Sequence, residues 1–396
     1  MSDIAFLADD RAIADALARL AERGEVAALA TVVRVVGSAY RGVGARLLLP
    51  ADGGALGMVS GGCLEADLAA RAPEVLATGR ATVVTYDTRS GDDLVWGLGL
   101  GCEGLVELLL EPLAPDDAAS LARFFGAAHA VESTAVIATL AVAPAADAAG
   151  VGARVLVDDL GTLLAAHGAM PDALLDALRA DARALLADLP PRARGTAREY
   201  ALGGGTACVA LEPVVPTLHL LLCGAGPDAA PLARLAMRQG WEVTVVDHRP
   251  LGALHASRFP GVRVVACADP AQLVELARVG PRTHAVVMSH HFERDLAHLA
   301  SLLASDAPYV GLLGPRSRAE RMLAEHRARV GPVDEAMRAR VHGPAGLDLG
   351  GDGPEAIALA IVAEVLAVSS GRGGGALRDR EAPIHGAGVG ALTARR

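Results

Sequence analysis

The stretch from Leu218 to Asp247 constrains the fold more than any other part of this chain. Leu218 to Cys223 is an unbroken apolar run of strand length. Gly224-Ala225-Gly226-Pro227-Asp228-Ala229 then opens a helical segment, and Asp247 closes the next apolar strand. Strand, Gly-x-Gly-x-x-Ala turn, helix and strand in that order make the first βαβ unit of a Rossmann sheet. The glycines permit a tight turn and close backbone approach, and the helix N-terminus offers unpaired N–H groups to a phosphate. Asp247 can accept from a ribose hydroxyl. Gly224, Gly226 and Asp247 are therefore candidate contacts for a nucleotide-like ligand. Asp228 argues the other way, because a carboxylate in the first turn favours a helix but repels phosphate. The competing reading is a Rossmann fold whose loop has lost its ligand.

Apolar strands at 217–223, 241–247, 262–267, 284–289 and 308–313 alternate with helical segments, which is the pattern of a doubly wound parallel sheet. This assigns residues 216–368 to a Rossmann-type domain. Residues 369–396, rich in glycine and arginine without apolar period, are expected to form a disordered tail.

The first half reads differently. Ile13, Leu17 and Leu20 fall at helical spacing, and Val26 to Val36 reads as a buried strand followed by short strands and turns. A connecting helix over 116–128 leads to a second strand-rich block, which repeats the first at an offset of 108. Gly42-Val43-Gly44-Ala45-Arg46 meets Gly150-Val151-Gly152-Ala153-Arg154, and both blocks close on Glu-Pro, at Glu111-Pro112 and Glu212-Pro213. The expected organisation is an N-terminal domain over 1–115, a degenerate second copy over 116–215 and the Rossmann-type domain. The fold class is α/β, with a duplicated, strand-rich α+β region ahead of the parallel sheet.

The repeat separates scaffold from function. What both copies keep is structural, so Gly-Val-Gly-Ala-Arg reads as a turn entering a strand. What only the first copy carries is the better site candidate. Ser38 and Arg41 face Ala146 and Ala149 in the alignment of the two copies, and Ser60-Gly61-Gly62-Cys63-Leu64-Glu65 has no counterpart near His167-Gly168. Gly61-Gly62 lets the backbone turn sharply before a helix from about Leu64 to Thr78, which places Cys63 at a helix N-terminus where thiolate is stabilised. Cys102 lies in a second permissive loop, Gly97 to Gly104. Two such thiols suit a soft metal or a persulfide, and Arg41 suits a phosphate. Physical chemistry alone leaves this reading level with a glycine-rich turn around a buried thiol.

Composition removes several classes. All 36 basic residues are arginine, so a Schiff-base enzyme or a Walker A loop is excluded for want of lysine. The net charge of −10, with no basic tract, speaks against nucleic acid. The five cysteines include no C-x-x-C pair, so neither a disulfide framework nor a structural zinc site is expected. Without an apolar run of about 18 residues no membrane span is expected. The N-terminus does not resemble a signal peptide, and a cytoplasmic location follows as an expectation. His290, His291 and His298 match no zinc spacing and are read as lining a ligand groove or facing solvent rather than as metal ligands. Arg316 and Arg318 open a helix near the same sheet edge, where holding a phosphate and simple solvation are equally open.

Several blocks together resemble the XdhC/CoxI family of accessory factors for molybdenum hydroxylases. They are Gly37-Ser38-x-x-Arg41-x-x-Gly44-Ala45, Ser60-Gly61-Gly62-Cys63-x-Glu65, the Gly-Cys-x-Gly run at 101–104 and Cys223-Gly224-Ala225-Gly226. The runs Gly311 to Arg318 and Gly346 to Gly350, with Pro354 to Ala358, join them. The resemblance implies a chaperone that binds molybdenum cofactor, as molybdopterin or its nucleotide form. It would protect the cofactor while a cysteine desulfurase installs the terminal sulfur, and deliver it to a xanthine dehydrogenase, aldehyde oxidase or CO dehydrogenase-type apoenzyme. It makes Ser38, Arg41, Ser60, Gly61, Gly62, Cys63, Glu65 and Cys102 candidate cofactor contacts, beside Gly224, Gly226 and Asp247. Glu103 departs from the family's usual glycine, which puts the role of Cys102 in doubt. A homodimer is expected, with no catalysis of its own. The alternative is an NAD(P)-dependent oxidoreductase, since a Rossmann unit ending in Asp247 also admits a dinucleotide. Against it, the residues peculiar to the first copy include a thiol, an arginine and glycine turns rather than an evident proton-transfer group.

Overall fold

A computed structural model describes residues 9–87, 104–187, 195–250 and 256–381. The chain forms two compact units, one reaching Pro216 and the other spanning Thr217–Glu381.

The first unit is built from one plan used twice. Its first half runs α1 (Asp9–Arg23), β1 (Ala27–Gly37), β2 (Arg46–Pro50), β3 (Leu56–Gly57), α2 (Glu65–Thr78), β4 (Thr82–Asp87) and β5 (Gly104–Leu113). The second half runs α3 (Pro115–His129), β6 (Ala135–Val142), β7 (Arg154–Asp158), β8 (Leu163–His167), α4 (Asp172–Ala187), β9 (Thr196–Leu202) and β10 (Gly205–Val214). The sheets have the same order, β3-β2-β1-β5-β4 and β8-β7-β6-β10-β9, and every described pairing within them is antiparallel. The duplication seen in the sequence is thus a duplication of fold.

β1 is apolar without alternation because both of its faces are covered. Ala28, Ala30 and Val32 pack with Leu68 and Val75 of α2. Ala27 and Leu29 join Ile13 and Leu17 of α1 and Phe124 and Phe125 of α3 in a core shared by the two halves. β6 has the same two covered faces, with α4 over one of them.

The shared Arg of each Gly-Val-Gly-Ala-Arg turn crosses to the other half. Arg46 donates through both terminal nitrogens to Glu212, and Arg154 through both to Glu111. Arg154 also donates to the Gly152 carbonyl at 2.8 Å, and the Phe125 ring lies 4.4 Å from the Arg46 guanidinium and 5.9 Å from that of Arg154. Gly44 and Gly152 enter their turns at φ of 96° and 92°, and a Cβ at either would run into the carboxylate arriving from the other half. Both positions require glycine for that close approach as well as for the turn. A second device recurs too: Tyr86 donates to Asp67 of α2 at 2.5 Å, and Tyr200 to Asp181 of α4 at 2.6 Å.

The second unit holds β11 (His219–Cys223), α5 (Ala229–Arg238), β12 (Glu242–Asp247), β13 (Arg263–Ala266), α6 (Leu273–Ala277), β14 (Thr283–Val287), α7 (Phe292–Leu303), β15 (Tyr309–Leu312), α8 (Arg316–Arg329), α9 (Glu335–Ala339), β16 (Val341–His342) and α10 (Pro354–Ser369). The five expected strands are present within one or two residues at their ends. A sixth, β16, is too short for any periodicity to announce. The sheet is parallel throughout, ordered β13-β12-β11-β14-β15-β16, the doubly wound Rossmann order with its switch point between β11 and β14. Alternate residues of β11 serve opposite faces: Leu220 and Leu222 pack with α5 and α10, Leu221 and Cys223 with α6 and α7. Of the expected tail, residues 369–381 are described: Ser369 ends α10 and a helical turn follows at Leu377–Asp379; 382–396 lie outside the described residues.

Candidate functional site

Two of the sequence blocks, with Gly104 from a third, meet at one end of the first sheet. β1 ends at Gly37, which pairs with Gly104 at the start of β5, and a Cβ on Gly104 would strike the Ser38 carbonyl. The loop after Gly37 carries Ser38 and Arg41 and brings the Tyr40 ring to the Gly61 turn, within 3.9 Å of where a Gly61 Cβ would stand. Cys102, two residues before Gly104, lies outside the described residues.

The turn from Ser60 to Leu64 is fixed by its own side chains. Glu65, the first residue of α2, accepts the Val59 and Ser60 N–H groups on Oε1 at 3.0 and 2.8 Å and the Ser60 hydroxyl on Oε2. Ser60 Oγ in turn accepts the N–H groups of Gly62 at 3.2 Å and Leu64 at 3.0 Å. Ser60 and Glu65 thus exchange hydrogen bonds across the turn, ahead of the helix N-cap at Leu64. Burial of Glu65 works to raise its pKa, but the hydrogen bonds from Ser60 and Val59 outweigh it and hold the carboxyl below its usual range. Ser60 and Glu65 are thus occupied in shaping the turn, and Gly62 completes it at φ 112°. Between these anchors Cys63 stands as a half-buried free thiol two residues before α2, next to its N-cap Leu64.

Arg41 lines a cavity of about 200 Å³ together with Val43, Arg46 and Glu212. That is below the ~300 Å³ at which pockets for whole small molecules begin. Its charged lining combines the guanidinium groups of Arg41 and Arg46 with the Glu212 carboxylate.

In the second unit Gly224 is required by contact. It adopts φ 135°, and a Cβ there would lie 2.7 Å from the Met288 carbonyl oxygen and from Ser289 Cα at the end of β14. Asp228, whose charge opposes a phosphate in the sequence reading, is 2.8 Å from His290 Nε2. Asp247 is buried and accepts from Ala225 N at 2.9 Å and from Arg249 through Nε and Nη2, both at 2.8 Å. Burial opposes its charge, yet the Arg249 and Ala225 donors hold its carboxyl far below the ordinary range.

Arg318 is not a phosphate holder in this geometry: it donates to buried Asp295 at 2.9 Å, whose other oxygen accepts from Ser289 N and Oγ. Arg316 is exposed and pairs with Glu320. His298 does not face the ligand groove or solvent. It is 1% exposed and has no partner for either ring nitrogen among the described residues. The sequence signals this only through the helical spacing of His298 with Leu302, four residues on. Burial lowers its pKa to about 4.

A twice-used α+β plan bearing a clamped glycine-cysteine turn, followed by a doubly wound sheet with a glycine-rich loop, defines a two-unit protein of the XdhC type. Residues 220–365 match the XdhC Rossmann domain, and residues 20–87 match the XdhC and CoxI family. The chain is 31% identical over 347 residues to a Bacillus subtilis protein named as a probable xanthine dehydrogenase subunit, covering 88% of this chain and 94% of that protein. It belongs to the XdhC and CoxI family. It is also 37% identical over 111 residues to PaoD of Escherichia coli, named a molybdenum cofactor insertion chaperone; the match spans 28% of this chain and 34% of PaoD. The crystal structure of a protein described as a xanthine dehydrogenase, from Bacillus halodurans, superposes with a TM-score of 0.70 at 27% identity, covering 91% of this chain and 96% of that one.

Proposed function

We propose that this protein receives molybdenum cofactor, shields it while a cysteine desulfurase supplies the terminal sulfur, and delivers it to a xanthine dehydrogenase-type apoenzyme. The observation that carries the reading is the Cys63 turn. Ser60 and Glu65 lock it, the Ser38 to Arg41 loop adjoins it, and the chain has a relative, PaoD, that is named as an insertion chaperone. The cofactor is cargo, not a resident group. A half-buried thiol is a soft donor suited to molybdenum or to a sulfur in transit, and the Arg41 cavity has room for the phosphate of a pterin, with two arginines set against one carboxylate in its lining.

The hydrogen bonds within the turn support a division of labour. Ser60, Gly62 and Glu65 position the thiol, and Cys63 and Arg41 touch cargo; the Gly224 to Ala229 loop of the second unit is a separate candidate site for a phosphate, of a pterin or of a dinucleotide. A homodimer remains part of the proposal. Anaerobic purification followed by molybdenum analysis and pterin fluorescence tests it. Bound pterin and molybdenum are the expected result; tightly held NAD(H) with neither would sink the carrier reading in favour of an oxidoreductase. The name of the Bacillus subtilis relative favours a second reading, a resident component of the hydroxylase. Retention of this chain in stoichiometric amount on the purified, active client would select it.

A further inference from the structure

In a dinucleotide-binding Rossmann unit, the carboxylate ending the second strand accepts hydrogen bonds from the ribose hydroxyls. Asp247 stands at that place but has no capacity left. Oδ1 accepts the backbone N–H of Arg249 at 3.0 Å and its Nε at 2.8 Å, and His248 Nδ1 lies 3.2 Å away. Oδ2 accepts Arg249 Nη2 at 2.8 Å and the Ala225 N–H at 2.9 Å. A carboxylate has about four acceptor positions, and all are filled. The side chain is only 4% exposed, so a ribose could reach it only by displacing the arginine.

Arg249 is what the end of β12 presents instead. Its side chain is 45% exposed. The Nε and Nη2 edge is held by Asp247, with Nη2 also 3.5 Å from the Ala225 carbonyl, so the planar fork turns Nη1 away from the carboxylate. Nη1 has no hydrogen-bond partner among the described residues. A guanidinium oriented in advance, beside a glycine-rich loop, suits a doubly charged phosphate far better than a neutral diol.

We infer that Arg249 is the specificity-determining residue of this crevice and selects a ligand carrying a phosphomonoester. Two sources supply that group: the 2′-phosphate of a phosphorylated dinucleotide and the terminal phosphate of a pterin cofactor that carries no nucleotide. A plain dinucleotide, or a pterin extended by a nucleotide, has only diester phosphates and is disfavoured. The inference rests on the crevice being a ligand site.

The test is equilibrium titration of the full-length protein, under anaerobic conditions, with four probes. They are NADPH, NADH, and molybdenum cofactor liberated in its free phosphomonoester form and in its dinucleotide form. At least one phosphomonoester probe is expected to bind about tenfold or more tighter than its diester counterpart, and which one does identifies the source. Arg249→Gln should bring that pair to within about twofold, and Arg249→Lys should restore part of the preference. Equal affinities in the wild type, tighter NADH or dinucleotide cofactor, or no binding of any probe would overturn the inference, whatever the variants do. Cargo delivery is read separately, from client molybdenum content with Cys63→Ala. A crevice without selectivity in a protein that still activates its client refutes this inference alone.

Discussion

At the residue scale, the Cys63 thiol and the groups that hold it have separable effects. Cys63→Ala removes the sulfur and leaves Ser60 and Glu65 bonded as before, so stability should change by no more than about 0.5 kcal/mol. The client should lose activity together with molybdenum or terminal sulfur. Normal molybdenum and sulfur in the client, assayed by metal analysis and cyanide-releasable thiocyanate, would remove Cys63 from the pathway. Glu65→Ala leaves buried donors without an acceptor and should cost about 1–3 kcal/mol in denaturant titrations. Two buried histidines set an acid limit. His219, between Thr283 and Thr244, and His298 both have pKa values lowered to about 4 by burial. Between that value and the unfolded 6.5 the unfolded chain binds more protons, so stability is full above pH 6.5 and falls as pH drops through this window. From about pH 7.5 to about pH 5 each should contribute a loss of about 2 kcal/mol, and a His219→Gln, His298→Leu double variant should flatten the slope. An unchanged slope would contradict this. The sequence shows which residues carry chemistry but not which atoms are engaged. Glu65 and Asp247 read as contacts because their carboxylates look available in one dimension. Both are engaged by donors from within about 25 residues of chain, and only the fold brings these together.

At the element scale, tight backbone approach is legible as glycine while its partner is not. The β11 to α5 turn is recognisable from its motif, but the β14 end that crowds Gly224 lies more than 60 residues downstream. Gly224→Ala forces a Cβ against backbone atoms at a φ that L-residues avoid. It should destabilise the second unit by about 1–3 kcal/mol and abolish ligand binding in the crevice; unfolding followed at Trp241 fluorescence would report it. The crossed ion pairs of the first unit make a sharper comparison. Arg154 is fully buried and Glu111 nearly so, whereas Glu212 opens on the cavity beside Arg41. Glu111→Gln strands a buried guanidinium and should cost about 3–5 kcal/mol. Glu212→Gln, with water able to reach the gap, should cost clearly less. Equal losses would mean that the cavity admits no solvent.

At the scale of the whole molecule, the two plans are legible because composition repeats where packing repeats. Gly-Val-Gly-Ala-Arg and Glu-Pro recur in sequence because each arginine must meet the other half's glutamate. The motif that reads as a turn is therefore also the fastening between the halves, a fact invisible until the two sheets are seen to share a core. Among the described residues no helix is long and apolar enough to cross a membrane, in line with the absence of long apolar runs. The crossed pairs have one more consequence. Arg46 to Glu212 and Arg154 to Glu111 are the two equivalent contacts of an isologous, twofold interface, of the kind that normally joins identical subunits. Here both partners lie on one polypeptide, so the contact does not weaken on dilution. The arrangement has also freed one partner to diverge, and the thiol turn stands on only one side of the pseudodyad.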